Sequence, residues 1–157
     1  MTDDNLIKQI LDSAKTIAMI GVSTEKEGEA MAKARLKPSI IVMKYLLEFG
    51  YKVIPVNPFS EGKKVNGETI VGKLEDISIP IDIVNVFRPS KETPEIAKQA
   101  VKIGAKTLWL QFGIQNTEAE KISNLAGITC IMNRCIKQEY QKLFLKSKPV
   151  FPVLLSD

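Results

Sequence analysis

The chain has no histidine among its 157 residues. That absence removes Ser-His-Asp hydrolysis, imidazole acid–base work, phosphohistidine chemistry and most zinc catalysis, because each depends on a ring nitrogen. Cysteine is scarce as well. Cys130 and Cys135 are too few for a disulfide scaffold, and they have no matching pair or histidine to complete a zinc site, so both read as reduced thiols. No apolar run approaches the ~20 residues of a membrane span, and the opening Met-Thr-Asp-Asp lacks the basic start of a signal peptide. No membrane partner and a cytoplasmic location are the expectations. Charge of one sign is never massed either: the net charge of +4 comes from Lys and Arg spread along the chain. That distribution argues against a nucleic-acid arm and suits an anionic small molecule.

What the chain does have is a rhythm. Short apolar runs end in Gly, Ser, Asn, Pro or Arg, and each is followed by a helical pattern. The runs are Thr16–Gly21, Lys52–Asn57, Asp82–Phe87, Thr107–Gln111 and Ile128–Met132. Alternation of this kind forces parallel strands joined by crossover helices, hence a doubly wound α/β sheet of five parallel strands with helices on both faces. With 45% hydrophobic and 25% charged residues the length fits one domain. Such sheets take ligands in the crevice beyond the carboxyl ends of their strands, where the polar punctuation of these runs falls.

The intervening segments are read from the same signals. Residues 3–14 place Leu6, Ile7, Ile10, Leu11 and Ala14 at helical spacing. Residues 24–37 form a polar insertion, a short helix or a flap, and Pro38-Ser39 begins the first crossover helix, which Gly50 stops. Asn66-Gly67 marks a tight turn between short extended pieces, and Lys73–Ile77 a brief helix. Thr93-Pro94 opens a helix stopped at Gly104, another runs from about Thr117 to Ala126, and a last helical stretch covers 136–146. The proline-broken apolar tail 146–157 packs on a surface in this reading. Trp109, in mid-strand between apolar neighbours, reads as core.

A strand, a glycine and a helix N-terminus make a phosphate site, because free backbone N–H groups and the helix dipole point at the anion. Here the loop is Gly21-Val22-Ser23 and the helix start Pro38-Ser39. One glycine stands where the dinucleotide fingerprint wants three, and Asn57-Pro58 stands where an acidic residue would hold the ribose of NAD. Both departures count against a nicotinamide cofactor. Gly21 as a plain tight-turn residue remains open at this point, as do two readings of Arg88, a ligand contact or a pair with Glu92 or Glu95.

Taken together, Gly21-Val-Ser23, Lys37-Pro38-Ser39, Tyr51–Pro58, Ile81–Arg88, Leu108–Ile114 and Asn133-Arg-Cys135 resemble the small coenzyme A-binding domain family. That family is similar to the Rossmann-like nucleotide-binding domain of the succinyl-CoA synthetase α subunit. The resemblance covers about residues 5–145 and implies that coenzyme A or an acyl-CoA lies across the strand ends. It implies Gly21, Val22 and Ser23 at the phosphates, with Ser39 at the helix start beside them. It also implies Asn57 and Pro58 on the adenosine side, Phe87, Arg88, Pro89 and Ser90 on the opposite wall, and Lys37 and Arg88 as cations for the phosphate groups. Gln111 either contacts ligand or caps the next turn. The chain departs from the family pattern at Phe59, often basic, at Asn133, often Asp, and in the longer 24–37 insertion.

Three readings of function follow. The first is a non-catalytic coenzyme A-binding module, favoured by the resemblance and by the lack of a recognisable catalytic constellation. Ligase chemistry of the synthetase type needs a phosphorylated histidine that is missing here. The second is an enzyme or subunit using an NAD(P)-type nucleotide on the same scaffold. The third is a structural partner module docking through the apolar tail Val150 to Leu155 into a homodimer or a larger complex. A mixed disulfide between coenzyme A and Cys135 is conceivable beside Arg134, an inert, partly buried thiol being the plainer reading.

Overall fold

The computed structural model describes residues 3–22, 24 and 37–145. Ser23, most of the 24–37 insertion and the tail from 146 lie outside the described residues.

Five strands form one parallel sheet: β1 (Thr16–Ile20), β2 (Lys52–Val56), β5 (Ile83–Val86), β6 (Thr107–Leu110) and β7 (Thr129–Ile131), in the spatial order β2-β1-β5-β6-β7. Between β2 and β5, a hairpin of β3 (Lys64–Val65) and β4 (Glu68–Thr69) turns at Asn66-Gly67, where both residues adopt positive φ. The expected turn is therefore present, built by the two residue types that tolerate that backbone. A bridge from Val56 to Val71 carries this excursion back along the outer side of β2. Pro55 is tolerated in β2 because the strand is peripheral and needs no N–H there; its carbonyl accepts from Val71 N at 3.0 Å.

Alternation along the strands sends side chains to two separate cores. Ile17, Met19, Ile83, Trp109 and Ile131 point to one face, covered by α1 (Asp4–Ser13), α2 (Pro38–Glu48) and α5 (Ile136–Tyr140). Ala18, Ile20, Val84, Val86 and Leu108 point to the other, covered by α3 (Thr93–Lys102) and α4 (Thr117–Leu125). This is the doubly wound, Rossmann-like arrangement that the strand–helix rhythm predicts.

Local chemistry sets the helix ends. Asp3 caps α1 by accepting from Leu6 N at 2.8 Å, and Asn116 caps α4 by accepting from Ala119 N at 2.9 Å. Pro38 and Pro94 sit in first turns, where the missing N–H costs nothing. Trp109 is fully buried, and its indole N–H donates to Arg134 O at 2.8 Å, so the core reading holds with its polar edge satisfied. The last helical stretch is present where expected, as α5 to Tyr140 followed by a π turn over Gln141–Leu145. There Tyr140 and Phe144 stack at 4.7 Å and Phe49 lies 4.9 Å from Tyr140, so aromatic packing on α2 accompanies the wider turn.

Candidate functional site

The chain leaves β1 to form β2 on one side, then returns to form β5 on the other. The carboxyl ends of β1 and β5 are therefore a topological switch point, where the connections part and leave a crevice. Gly21 follows β1 directly with φ +93. Its N–H donates to Val56 O at 2.9 Å, and Phe87 N donates to Ile20 O at 2.8 Å, so three strand exits are laced together at this point. A Cβ at position 21 would stand 2.7 Å from Phe87 O and 2.9 Å from Arg88 Cδ. Two independent requirements, the backbone angle and the close approach of the β5 exit, thus demand glycine here.

Beside this junction, between the β2 exit and α3, lies a cleft of about 430 Å³. Ile20, Val56, Pro58, Leu74 and Ile96 give it an apolar floor; Asn57, Lys73, Arg88, Glu92, Glu95 and Gln99 supply its polar groups. Asn57 has both ends of its side chain engaged. Nδ2 donates to Val22 O at 3.0 Å, and Oδ1 accepts from Phe59 N at 2.9 Å, the second bond being an Asx turn. Phe59 then projects from the rim at 85% exposure.

Of the residues named from the sequence, Gly21, Asn57, Pro58 and Arg88 come together in this cleft. Arg88 makes the pair left open above: its Nε and Nη2 donate to Glu92 Oε1 and Oε2 at 2.9 and 2.8 Å. The hydrogen bond from Arg88 holds the Glu92 carboxyl below its usual range and raises Arg88 further. The remaining candidates have other surroundings among the described residues. Val22 is buried in the α1–α2 core, against which Phe87 packs half-buried. Lys37 is exposed just before α2, and Ser39 is buried in its first turn. Pro89 precedes a single 3-10 turn that starts at Ser90, whose Oγ accepts from Gln115 N at 3.1 Å. Gln111 is buried and accepts from Ile136 N at 3.1 Å through Oε1, capping α5. Ser23 lies outside the described residues.

A second opening of about 490 Å³ lies at the β6 and β7 exits and is lined by both cysteines together with Asn133, Arg134 and Phe112. Asn133 adopts φ 59 and accepts from Gly113 N at 2.6 Å, so it orders the exit of β7. Burial, helped by Glu120, pushes the Cys130 thiol up to about 11, and it stays protonated at neutral pH.

Sequence reasoning missed Asn85. It is fully buried in β5 between Met19 and Trp109 in the register, and neither amide atom of its side chain has a hydrogen-bond partner. Its one signal is a lone polar residue inside the apolar run Ile83-Val-Asn-Val86. It also missed the far wall of the cleft, Glu95 and Gln99, which become neighbours of Asn57 only through the crossover.

Among the described residues no helix is long and apolar enough to cross a membrane. The chain matches the CoA binding domain family over residues 15–141. It is 37% identical over 131 residues to the Bacillus subtilis (strain 168) protein YneT, covering 83% of this chain and 89% of that one. A hypothetical protein from Pyrococcus horikoshii OT3 superposes with a TM-score of 0.80 at 39% identity, covering 90% of this chain and 92% of that one. The apo form of acetyl-coenzyme A synthetase 1 of Ca. Korarchaeum cryptofilum has a TM-score of 0.57 at 19% identity, covering 74% of this chain and 25% of that one. The last of these is a likeness of fold alone. With the family matched over most of its length and a relative of similar size at this identity, the chain belongs to the CoA binding domain family.

Proposed function

We propose that the protein binds coenzyme A or an acyl-CoA at the β1–β5 switch point, as a single-domain binding module that performs no chemistry on it. The observation that carries this reading is the cleft itself. It is an apolar trough opening beside a glycine that lines the crevice, with a guanidinium on its edge.

In this reading the backbone at Gly21 and Val22 faces the phosphates, and Asn57 and Pro58 line the adenosine side. Arg88 with Glu95 and Gln99 forms the opposite wall, and Lys37, Ser39, Phe87, Pro89, Ser90 and Gln111 would meet only those parts of the ligand that extend beyond this cleft. Arg88 uses Nε and Nη2 on Glu92, which leaves Nη1 to donate to a phosphate oxygen without breaking the pair. The same pair fixes the guanidinium plane, so little side-chain entropy is lost when an anion arrives.

Isothermal titration of the full chain with coenzyme A, acetyl-CoA and NAD tests the proposal. Saturable heat with the first two, at lower ligand concentrations than NAD requires, is the expected result. Absence of heat from coenzyme A at millimolar concentration overturns the proposal.

A further inference from the structure

We propose that Phe59 is a stacking platform for a purine, and that the β2-side cleft recognises its nucleotide through the base rather than through charge. This presupposes the nucleotide ligand proposed above and adds which residue selects the base.

The electrostatics of the cleft come first. Its cations among the described residues are Lys73 and Arg88, and both are already paired: Lys73 Nζ lies 3.2 Å from Glu75 Oε1, and Arg88 is forked onto Glu92. Glu95 adds a further carboxylate to the lining. A trough with balanced charge gives a bound anion little net attraction, so affinity on this side must come from apolar and aromatic contact.

The apolar side is unusually well provided. Phe59 is the most exposed large apolar side chain among the described residues, and it stands on the rim of the cleft, not on open surface. Its backbone is held by its own turn. Asn57 N donates to Val71 O at 2.9 Å, Ser60 N donates to Asn57 O at 3.2 Å, and Phe59 N donates to the Asn57 side chain at 2.9 Å. So tied a turn fixes the point from which the ring projects, and only its two side-chain torsions need ordering when a base arrives. Pro58 beside it and Ile96 across the trough extend the flat apolar contact. Gln99, on α3, supplies a carboxamide able to donate to and accept from a purine edge. An aromatic face with a carboxamide across a trough suits a planar heterocycle with a polar rim, whereas a flexible aliphatic arm would use neither.

The test is equilibrium binding of coenzyme A, ADP and 4′-phosphopantetheine, which lacks the base, to the wild-type chain, Phe59→Ala and Phe59→Trp. Truncating a base-stacking aromatic weakens binding by roughly ten- to a hundredfold. Phe59→Ala is expected to lose that factor for coenzyme A and for ADP and to keep its affinity for 4′-phosphopantetheine. Phe59→Trp is expected to restore affinity for both purine ligands, and its indole fluorescence to be quenched on adding ADP. An unchanged affinity of Phe59→Ala for ADP and coenzyme A overturns the inference, and so does an equal loss for 4′-phosphopantetheine. Wild-type binding of ADP without coenzyme A would refute the coenzyme A reading while leaving the platform testable on ADP. Binding of neither would refute both. Because the side chain is so exposed, the melting temperature of Phe59→Ala should match wild type, which separates a lost contact from a lost fold.

Discussion

Replacing Gly21 by alanine isolates the close approach on which the crevice depends. A side chain at φ +93 bears a backbone penalty of about 1–2 kcal/mol, which any left-handed glycine position would share. Position 21 adds a collision: the new Cβ would lie 2.7 Å from Phe87 O, a backbone atom at the β5 exit, where Phe87 N is bonded to Ile20 O. Arg88 Cδ, at 2.9 Å, can rotate away, but the carbonyl can move only if the β1 and β5 exits separate. Overpacking of that kind costs about 1–3 kcal/mol, so the total is on the order of 2–5 kcal/mol. At roughly 2–4 °C per kcal/mol for a chain of this size, the melting temperature should fall by on the order of 10 °C. Gly104→Ala is the internal control, because Gly104 has φ +76 with nothing within 4 Å of its added Cβ. It should lose only the backbone part, about 1–2 kcal/mol. Thermal and urea unfolding of the two variants, followed by circular dichroism, gives the difference directly. Equal losses would refute the collision, and with it the claim that the β5 exit is what requires glycine after β1.

Two further outcomes follow from groups outside the cleft. Burial raises the Asp82 carboxyl, but hydrogen bonds from Lys15 N at 2.8 Å and Thr16 N at 3.1 Å, with Lys106 nearby, outweigh it and hold the group below its usual range. Its stabilisation is therefore full above the ordinary Asp value near ~4 and is lost as pH falls through the lower folded value. Asp82→Asn should cost on the order of 2 kcal/mol at pH 7, narrowing below pH ~4; a gap independent of pH in urea melts would contradict this. Asn85→Leu replaces two buried unpartnered polar atoms by a side chain of similar volume, and should raise stability by about 1–3 kcal/mol. A lower melting temperature would mean that the carboxamide has a partner, such as an ordered water, in solution.

The order of strands and helices was legible because period-2 and period-3.6 patterns alternate cleanly between punctuating residues. Each strand ends one residue sooner than its apolar run, although Gly21 and Gln111 still donate to Val56 O and Val86 O of neighbouring strands, so the apolar pattern follows the extended backbone one residue past the ladder. Half of the cleft was legible for a related reason: Gly21, Asn57, Pro58 and Arg88 follow strands directly, and doubly wound topology gathers whatever follows a strand. The other half was not. Glu95 and Gln99 lie on α3, and which of its faces overlooks the β2 exit depends on crossover geometry and not on local sequence. Ser39 and Gln111 show the converse limit, where a polar side chain next to a strand or helix end faces inward. Gln111 there serves the N-terminus of α5, a bond spanning 25 residues of sequence that no local pattern announces.

The outer margin of β2 bears on how copies of this chain could meet. Pro55 offers no donor there, its carbonyl is already taken by Val71, and the β3–β4 hairpin folds back alongside. At the opposite margin β7 presents a ladder only three residues long. Neither border is a template on which a neighbour's backbone could zip, the route by which open sheets grow into shared sheets or fibrils. Among the described residues, the surfaces left for self-association are the side chains of the helical faces. A single surface substitution could then abolish it, which would be impossible were the association carried by main-chain pairing.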